Sequence, residues 1–394
     1  MTVPSSVLLL AIGFLLGGIA GFTMHRADFC IAGMFRDLFL FKTFAKLRAL
    51  VLYLAVTMAL FEAARLCGLL PLYPFPLLGP ATGAGIAGGM LFGTGMVLAG
   101  GCVFGTLYRM GAGNRLGFVA FIGLIIGSTL YAEFHPAWKR LQAATVLFSG
   151  TITLPRYLGR SPTPLVVVTV AILGALVAYW ARKGLMNRRL HARGAMQLWQ
   201  AALVLAAISL ASYLLIGMPM GVTTAYTKMG AMAENALFPA HAASLEFFSA
   251  QQLSCRNPLT GYPLTGGPGP AWDGIAIVQF PLLAGVVLGG TLSALLLGES
   301  AVNGVVPRRQ YLSVLAGGML MGLASRMAPA CNVWHFLGGL PVFALASMVF
   351  LAGVLPGAWL GGRILVAWIL DGERPAGSPA APDPRNNEVS HDIC

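Results

Sequence analysis

The sequence predicts an all-α polytopic membrane protein of about nine transmembrane helices, with short broken or re-entrant helices and an inverted pseudo-two-fold repeat. Three observations carry this. Charge is scarce: 57% of the 394 residues are hydrophobic and 10% charged, where a soluble domain keeps about a quarter charged. Uncharged apolar stretches recur along the chain, each near the roughly 20 residues that a bilayer core requires of a helix. One such stretch recurs in the second half of the chain with seven of fifteen residues identical.

The predicted spans cover about 5–24, 48–68, 80–100, 116–132, 162–181, 196–217, 275–298, 311–328 and 342–362. Residues 1–24 lack a basic leader and a small-residue cleavage site, so they read as a retained first span rather than a signal peptide. Orientation follows from Lys/Arg bias. With the N-terminus periplasmic, the run Arg182, Lys183, Arg188, Arg189 and Arg193 falls in the cytoplasm together with the C-terminus, as inner-membrane proteins favour. The formal charge of +12 is then explained by cytoplasmic loops. No Lys/Arg patch is interleaved with aromatics, so nucleic acid is not an expected partner. Segment 218–274 reads as a long outer loop, and 371–394, rich in Pro, Asp and Asn, as a disordered cytoplasmic tail.

The repeat is visible without gaps. Gly88, Gly89, Met90, Leu91, Gly93, Ala99 and Cys102 recur as Gly317, Gly318, Met319, Leu320, Gly322, Ala328 and Cys331. A weaker match lays Leu10, Ala11, Leu15, Gly17, Gly21 and Thr23 on Leu210, Ala211, Leu215, Gly217, Gly221 and Thr223, which puts Cys30 opposite Gly230. By the charge-derived topology the two copies run in opposite directions. The units about 5–132 and 196–362, joined by the helix at 162–181, would then form one transporter domain spanning 1–370. Inverted repeats with interrupted helices characterise transporters that bind cargo near the bilayer midplane.

Three segments place a cysteine just after a span, beside Gly or Pro: HRADFCIAGMFRD (25–37), GGCVFGTLYRMG (100–111) and APACNVWHFLGGLP (328–341). Broken backbone at membrane depth is tolerated only where protein buries it or a cavity receives it. Short helices starting near Cys102 and Cys331 would aim their positive ends at that cavity, which favours anions. No CxxC pair and no Cys/His set with zinc spacing is present. His335 follows Cys331 by one helical turn, but no further ligands lie nearby in sequence, so neither a metal nor a cofactor is expected.

These three motifs resemble the YeeE/YedE family of sulfur-transport membrane proteins, and the resemblance covers nearly all the spans. It implies thiosulfate uptake, with Cys30, Cys102 and Cys331 as the essential residues, and a small TusA-like sulfur-carrier protein as a cytoplasmic partner. Two features depart from the family pattern: Pro329 and Ala330 stand where it has glycine before the third cysteine, and the 218–274 loop is long.

Thiol chemistry suits such a cargo. Thiosulfate carries a soft terminal sulfur that a neutral thiol, a weak S–H donor, can bond without trapping, and conduction requires several weak sites in series. The supporting residues expected around the thiols are Gly101, Asn332, Arg26, Arg109, Arg326 and His335. Arg26, Arg36 and Arg109 would act as topology anchors or anion guides, and Arg326 is costly in lipid unless it faces protein or water. Cys67 is expected to be a small buried hydrophobe, Cys255 and Cys394 incidental, and Glu62 to pair with Arg65. Two other functions remain open at this level: an intramembrane sulfurtransferase forming a cysteine persulfide, with Arg26 and His335 as activating groups, and a scaffold that docks the sulfur carrier. Selenium compounds and sulfite are alternative cargo for the transporter.

Overall fold

The computed structural model describes residues 3–75, 79–148, 152–190, 192–299 and 306–370; the predicted tail 371–394 and Cys394 lie outside them. In chain order the helices are α1 (Val3–Arg26), α2 (Ile31–Leu40), α3 (Ala45–Leu66), α4 (Gly83–Leu98), α5 (Val103–Gly111), α6 (Arg115–Ala144), α7 (Leu154–Tyr157), α8 (Pro162–Arg182), α9 (Leu198–Leu215), α10 (Thr223–Leu237), α11 (Pro239–Ser244) and α12 (Glu246–Ser249). A two-stranded hairpin, β1 (Leu253–Arg256) and β2 (Pro263–Gly266), pairs Leu253 with Gly266. After it come α13 (Gly274–Leu297), α14 (Arg308–Met327), a short π-helical segment Val333–Gly339 and α15 (Leu345–Leu365).

Each predicted span corresponds to a long helix: α1, α3, α4, α6, α8, α9, α13, α14 and α15. Among the described residues eight candidate spans are long and apolar enough to cross a membrane. The ninth, α14, carries Arg308, Arg309, Gln310 and Arg326, which lower its hydropathy. It is shielded from lipid because α4 and α6 pack against it. The chain is a multi-pass membrane protein. At the other extreme α8, with Val166 its one buried residue, leans on α3 and otherwise faces outward, as a lipid-facing helix does.

The packing repeats itself when the halves are exchanged. α1 packs on α13 as α9 packs on α3, α4 on α15 as α14 on α6, and α2 on α15 as α10 on α6, while α4 and α14 pack on each other. Missing side chains set the direction of these contacts. Gly13, Gly17 and Gly21 abut Val278, Leu282 and Val286 in turn, so α1 and α13 run parallel. By contrast Gly88 abuts Ala328, and Gly95 abuts Gly317, so the equivalent helices α4 and α14 run antiparallel. The repeat is inverted.

Two expectations need correction. The weak match placing Cys30 opposite Gly230 does not follow the helices. Cys30 is the N-cap of α2, whereas α10, its counterpart, is capped by Val222. The eight-residue error arises because α1 runs on to Arg26 while α9 stops at Leu215. Segment 218–274 is also no plain loop. Its first helix, α10, is buried from Thr223 to Lys228. The Lys228 ammonium is satisfied there by the Gly269 and Ala271 carbonyls and by Asp273, at 2.7–3.0 Å.

Candidate functional site

Cys30, Cys102 and Cys331 are all buried, and each sits where a span breaks and a short helix begins. Cys30 caps α2 and Cys102 caps α5. Cys331 immediately precedes Asn332, whose Oδ1 accepts from the Val333 N–H at 3.0 Å as the cap of the π-helical segment. Three helix N-termini, with their partial positive charge, therefore carry the three thiols.

The structure brings Cys30 and Cys102 together from 72 residues apart: the Cys30 thiol donates to the Cys102 sulfur at 3.7 Å. Cys102 Sγ also accepts from the Gly105 N–H at 3.3 Å. Cys331 is packed in the same buried cluster as Cys30 and Cys102. An S–H···S bond requires that at least one of the first two sulfurs carry its proton, since two thiolates this close in an apolar setting would repel strongly.

Two cavities border the segments that carry the thiols. One, of about 300 Å3, is lined among others by Arg326, Thr223, Thr224, Gln279, Pro329, Ala330 and Trp334, and thus reaches the two residues just before Cys331. Arg326 bonds Thr223 and, at 3.1 Å, Thr224. No ion pair to it is found among the described residues, so its charge is left for the cavity. The other cavity, of about 460 Å3, is lined by Arg36, Arg109, Gly100, Thr106 and Asn114 among others, next to Cys102. Arg109 donates to the Gly100 carbonyl and stands 3.9 Å from Asp28. Asp28 in turn is held by Lys46 at 2.7 Å, and Lys46 also reaches Asp37 at 3.2 Å. Two arginine-lined cavities thus border the cysteine segments, one reaching Pro329 and Ala330 before Cys331 and the other Gly100 and Thr106 around Cys102.

The other predicted residues divide. Gly101 forms the turn into α5, where a β-carbon would stand 3.5 Å from Arg109 Nη1. His335 is buried, bonded through Nδ1 to Ser347 at 2.9 Å and stacked 4.1 Å from Phe350. Arg26 lines neither cavity. It reaches the Gly194 carbonyl at 2.8 Å and covers Phe22, tying α1 to the segment before α9. Glu62 and Arg65 pair as expected, at 2.6 Å. Cys67 is exposed at the end of α3 rather than buried, because the helix stops before the thiol can turn inward. Cys255 sits half-buried in β1. Asp28, Lys46, Gly105, Thr223 and Thr224 escaped the sequence reading. The signal for the threonines was the polar GVTTAYTK run following the GMPM break.

A sulfur-transport family profile ("Sulphur transport") matches residues 26–360. The chain belongs to the sulfur-transport family. Its relatives include the thiosulfate transporter TsuA of Spirochaeta thermophila, 31% identical over 371 residues that span 91% of this chain and 98% of that protein. The probable transporters YedE of Escherichia coli and of Salmonella typhimurium are 30% and 34% identical over 144 residues, 36% of this chain and 31% of each of them. Membership in the sulfur-transport family fits a transporter rather than an enzyme.

Proposed function

We propose that this protein imports thiosulfate across the inner membrane, passing it along Cys331, Cys102 and Cys30 as protonated thiols. The single observation that supports the reading is the buried cysteine group with an arginine-lined cavity at each of its segments: Arg326 beside the residues before Cys331, Arg36 and Arg109 beside those around Cys102. The similarity to the thiosulfate transporter of S. thermophila over nearly the full length of both proteins supports the choice of cargo. The N-terminus is periplasmic and the C-terminus cytoplasmic, so the Arg326 cavity receives the anion from outside. The halves 5–132 and 196–362, joined by 162–181, act as two inverted units of one domain.

At an inside-negative potential of about 100 mV each inward negative charge costs about 2.3 kcal/mol, so a dianion needs a driving force. A cytoplasmic sink supplies it. The cavity floored by Arg36 and Arg109 opens toward the side where a small TusA-like carrier would take the sulfur.

The test is uptake of radiolabelled thiosulfate by the purified chain in proteoliposomes, with thiosulfate recovered intact inside. Release of sulfite, or persulfide trapped on a cysteine under turnover, would point instead to sulfurtransfer. Arg326→Gln is expected to raise the KM for thiosulfate about 10- to 100-fold, the loss of one or more hydrogen bonds to a charged group, with kcat less affected. Arg326→Lys should recover part of that affinity. An unchanged KM for the glutamine variant would remove Arg326 from the entrance.

A further inference from the structure

Two tyrosine hydroxyls in the buried cluster of the thiols have no hydrogen-bond partner among the described residues. Tyr108, on α5, is 2% exposed, and Tyr226, on α10, is fully buried. Neither Oη has a hydrogen-bond partner among the described residues. Folded proteins rarely leave a buried hydroxyl unsatisfied, and each such group calls for an explanation. Both rings are held by edge-on aromatic contacts, Tyr108 against His25 at 5.9 Å and Tyr226 against Phe121 at 5.4 Å. The rings are fixed while their hydroxyls stay unspent.

Their positions follow the thiols. A β-carbon built on Gly105 would stand 3.0 Å from Cys30 Sγ, 3.4 Å from Cys102 Sγ and 3.9 Å from Tyr108 Oη. The two sulfurs and that hydroxyl therefore surround one point, which only the absence of a side chain at Gly105 keeps open. Tyr226 is packed in the same buried cluster as Cys102 and Cys331, on α10 just after Thr223 and Thr224, which bond the Arg326 that precedes Cys331 by five residues.

We propose that Tyr108 and Tyr226 are the oxyanion donors of the pathway, Tyr226 bonding the oxygens of the sulfur anion between Cys331 and Cys102, and Tyr108 between Cys102 and Cys30. This rests on the reading of the cysteine line as the route. Thiols address the soft sulfur end of the cargo, and a phenol O–H, a stronger donor, addresses its hard oxygens. Being neutral, a phenol adds no fixed charge that would hold the ion, which suits a neck that must release what it binds. A site built to hydrogen-bond a group discriminates strongly against analogues that lack it. The tyrosines accordingly select sulfur anions that carry oxygen over hydrosulfide, which has none.

Tyr108→Phe and Tyr226→Phe in the full chain test this, with Tyr213→Phe as control. The Tyr213 hydroxyl is likewise buried and without a partner among the described residues, but its ring packs with Phe61 and Phe75 in a separate cluster from that of the three cysteines. Each variant is reconstituted, and thiosulfate uptake is measured alone and against sodium hydrosulfide as competitor. Tyr108→Phe and Tyr226→Phe are expected to lose about tenfold in kcat/KM for thiosulfate, the worth of one hydrogen bond to an anion. Hydrosulfide should compete correspondingly better, and Tyr213→Phe should match the parent. A merely structural role would lower both anions equally and leave their ratio unchanged, which overturns the proposal, as does wild-type uptake in both phenylalanine variants. If the parent chain itself moves no thiosulfate, the cargo reading fails rather than the role of the tyrosines.

Discussion

Replacing Cys102 by serine lowers thiosulfate uptake by about a hundredfold or more, and Cys30→Ser and Cys331→Ser do nearly the same. The expectation follows from thiols acting in series: cargo that must pass three weak sites in turn is stopped when any one of them is lost. Cys102 is the most exacting of the three. Its sulfur receives both the Cys30 thiol at 3.7 Å and the Gly105 N–H at 3.3 Å, so it joins one end of the thiol group to a helix N-terminus. A serine oxygen keeps a donor but sits on a shorter bond, draws the same N–H more tightly and offers a hard partner to a soft sulfur. A hundredfold corresponds to about 2.7 kcal/mol at the barrier, within reach of one misplaced contact per ion. The measurement is initial-rate uptake in proteoliposomes, backed by growth of a thiosulfate-uptake-deficient bacterium on thiosulfate as sole sulfur source. Cys67→Ser and Cys394→Ser should leave both readouts intact. A chain carrying serine at positions 30, 102 and 331 that still transports would falsify the thiol pathway, and would return attention to a scaffold role.

Among the described residues the sequence alone located the nine long helices because eight are apolar runs and the ninth, α14, keeps the glycine pattern of α4, which also pairs Cys102 with Cys331. Those glycines are retained for contact: Gly88 and Gly317 sit where α4 meets α14 backbone to backbone. Elements that owe their place to the partner half were not legible. α10 reads as loop because Thr223, Thr224, Thr227 and Lys228 give it no apolar face. It is nonetheless buried, since Asp273, Gly269 and Ala271 satisfy the lysine and the threonines meet Arg326. The proximity of Cys30 to Cys102 was likewise invisible, because it depends on how α2 and α5 are brought together by α1, α4 and α13. Arg26 shows the converse. Its place beside a motif suggested a role at the site, yet one turn of helix directs it to Gly194 instead.

Gly105 is the position at which a single methyl group separates folding from transport. Alanine there lowers uptake about tenfold, and valine abolishes it, with the protein still produced and folded. The backbone of Gly105 is helical and lies in α5, so alanine raises helix propensity by up to about 1 kcal/mol. Its β-carbon would stand 3.0 Å from Cys30 Sγ, closer than ordinary van der Waals contact. The cost is therefore met by shifting the sulfurs, and the space it takes is the one that Cys30, Cys102 and Tyr108 surround. Valine adds two further carbons to that space and drives the thiols apart. Gly174→Ala on α8, where a β-carbon meets nothing within 4 Å, gives the baseline for a helical glycine in the same membrane. Thermal unfolding in detergent read beside uptake separates the two effects: Gly105→Ala should match or exceed the parent in melting temperature while transporting less. Equal loss of both would make Gly105 an ordinary packing position, and parent-level uptake in the valine variant would mean that the cargo takes another route.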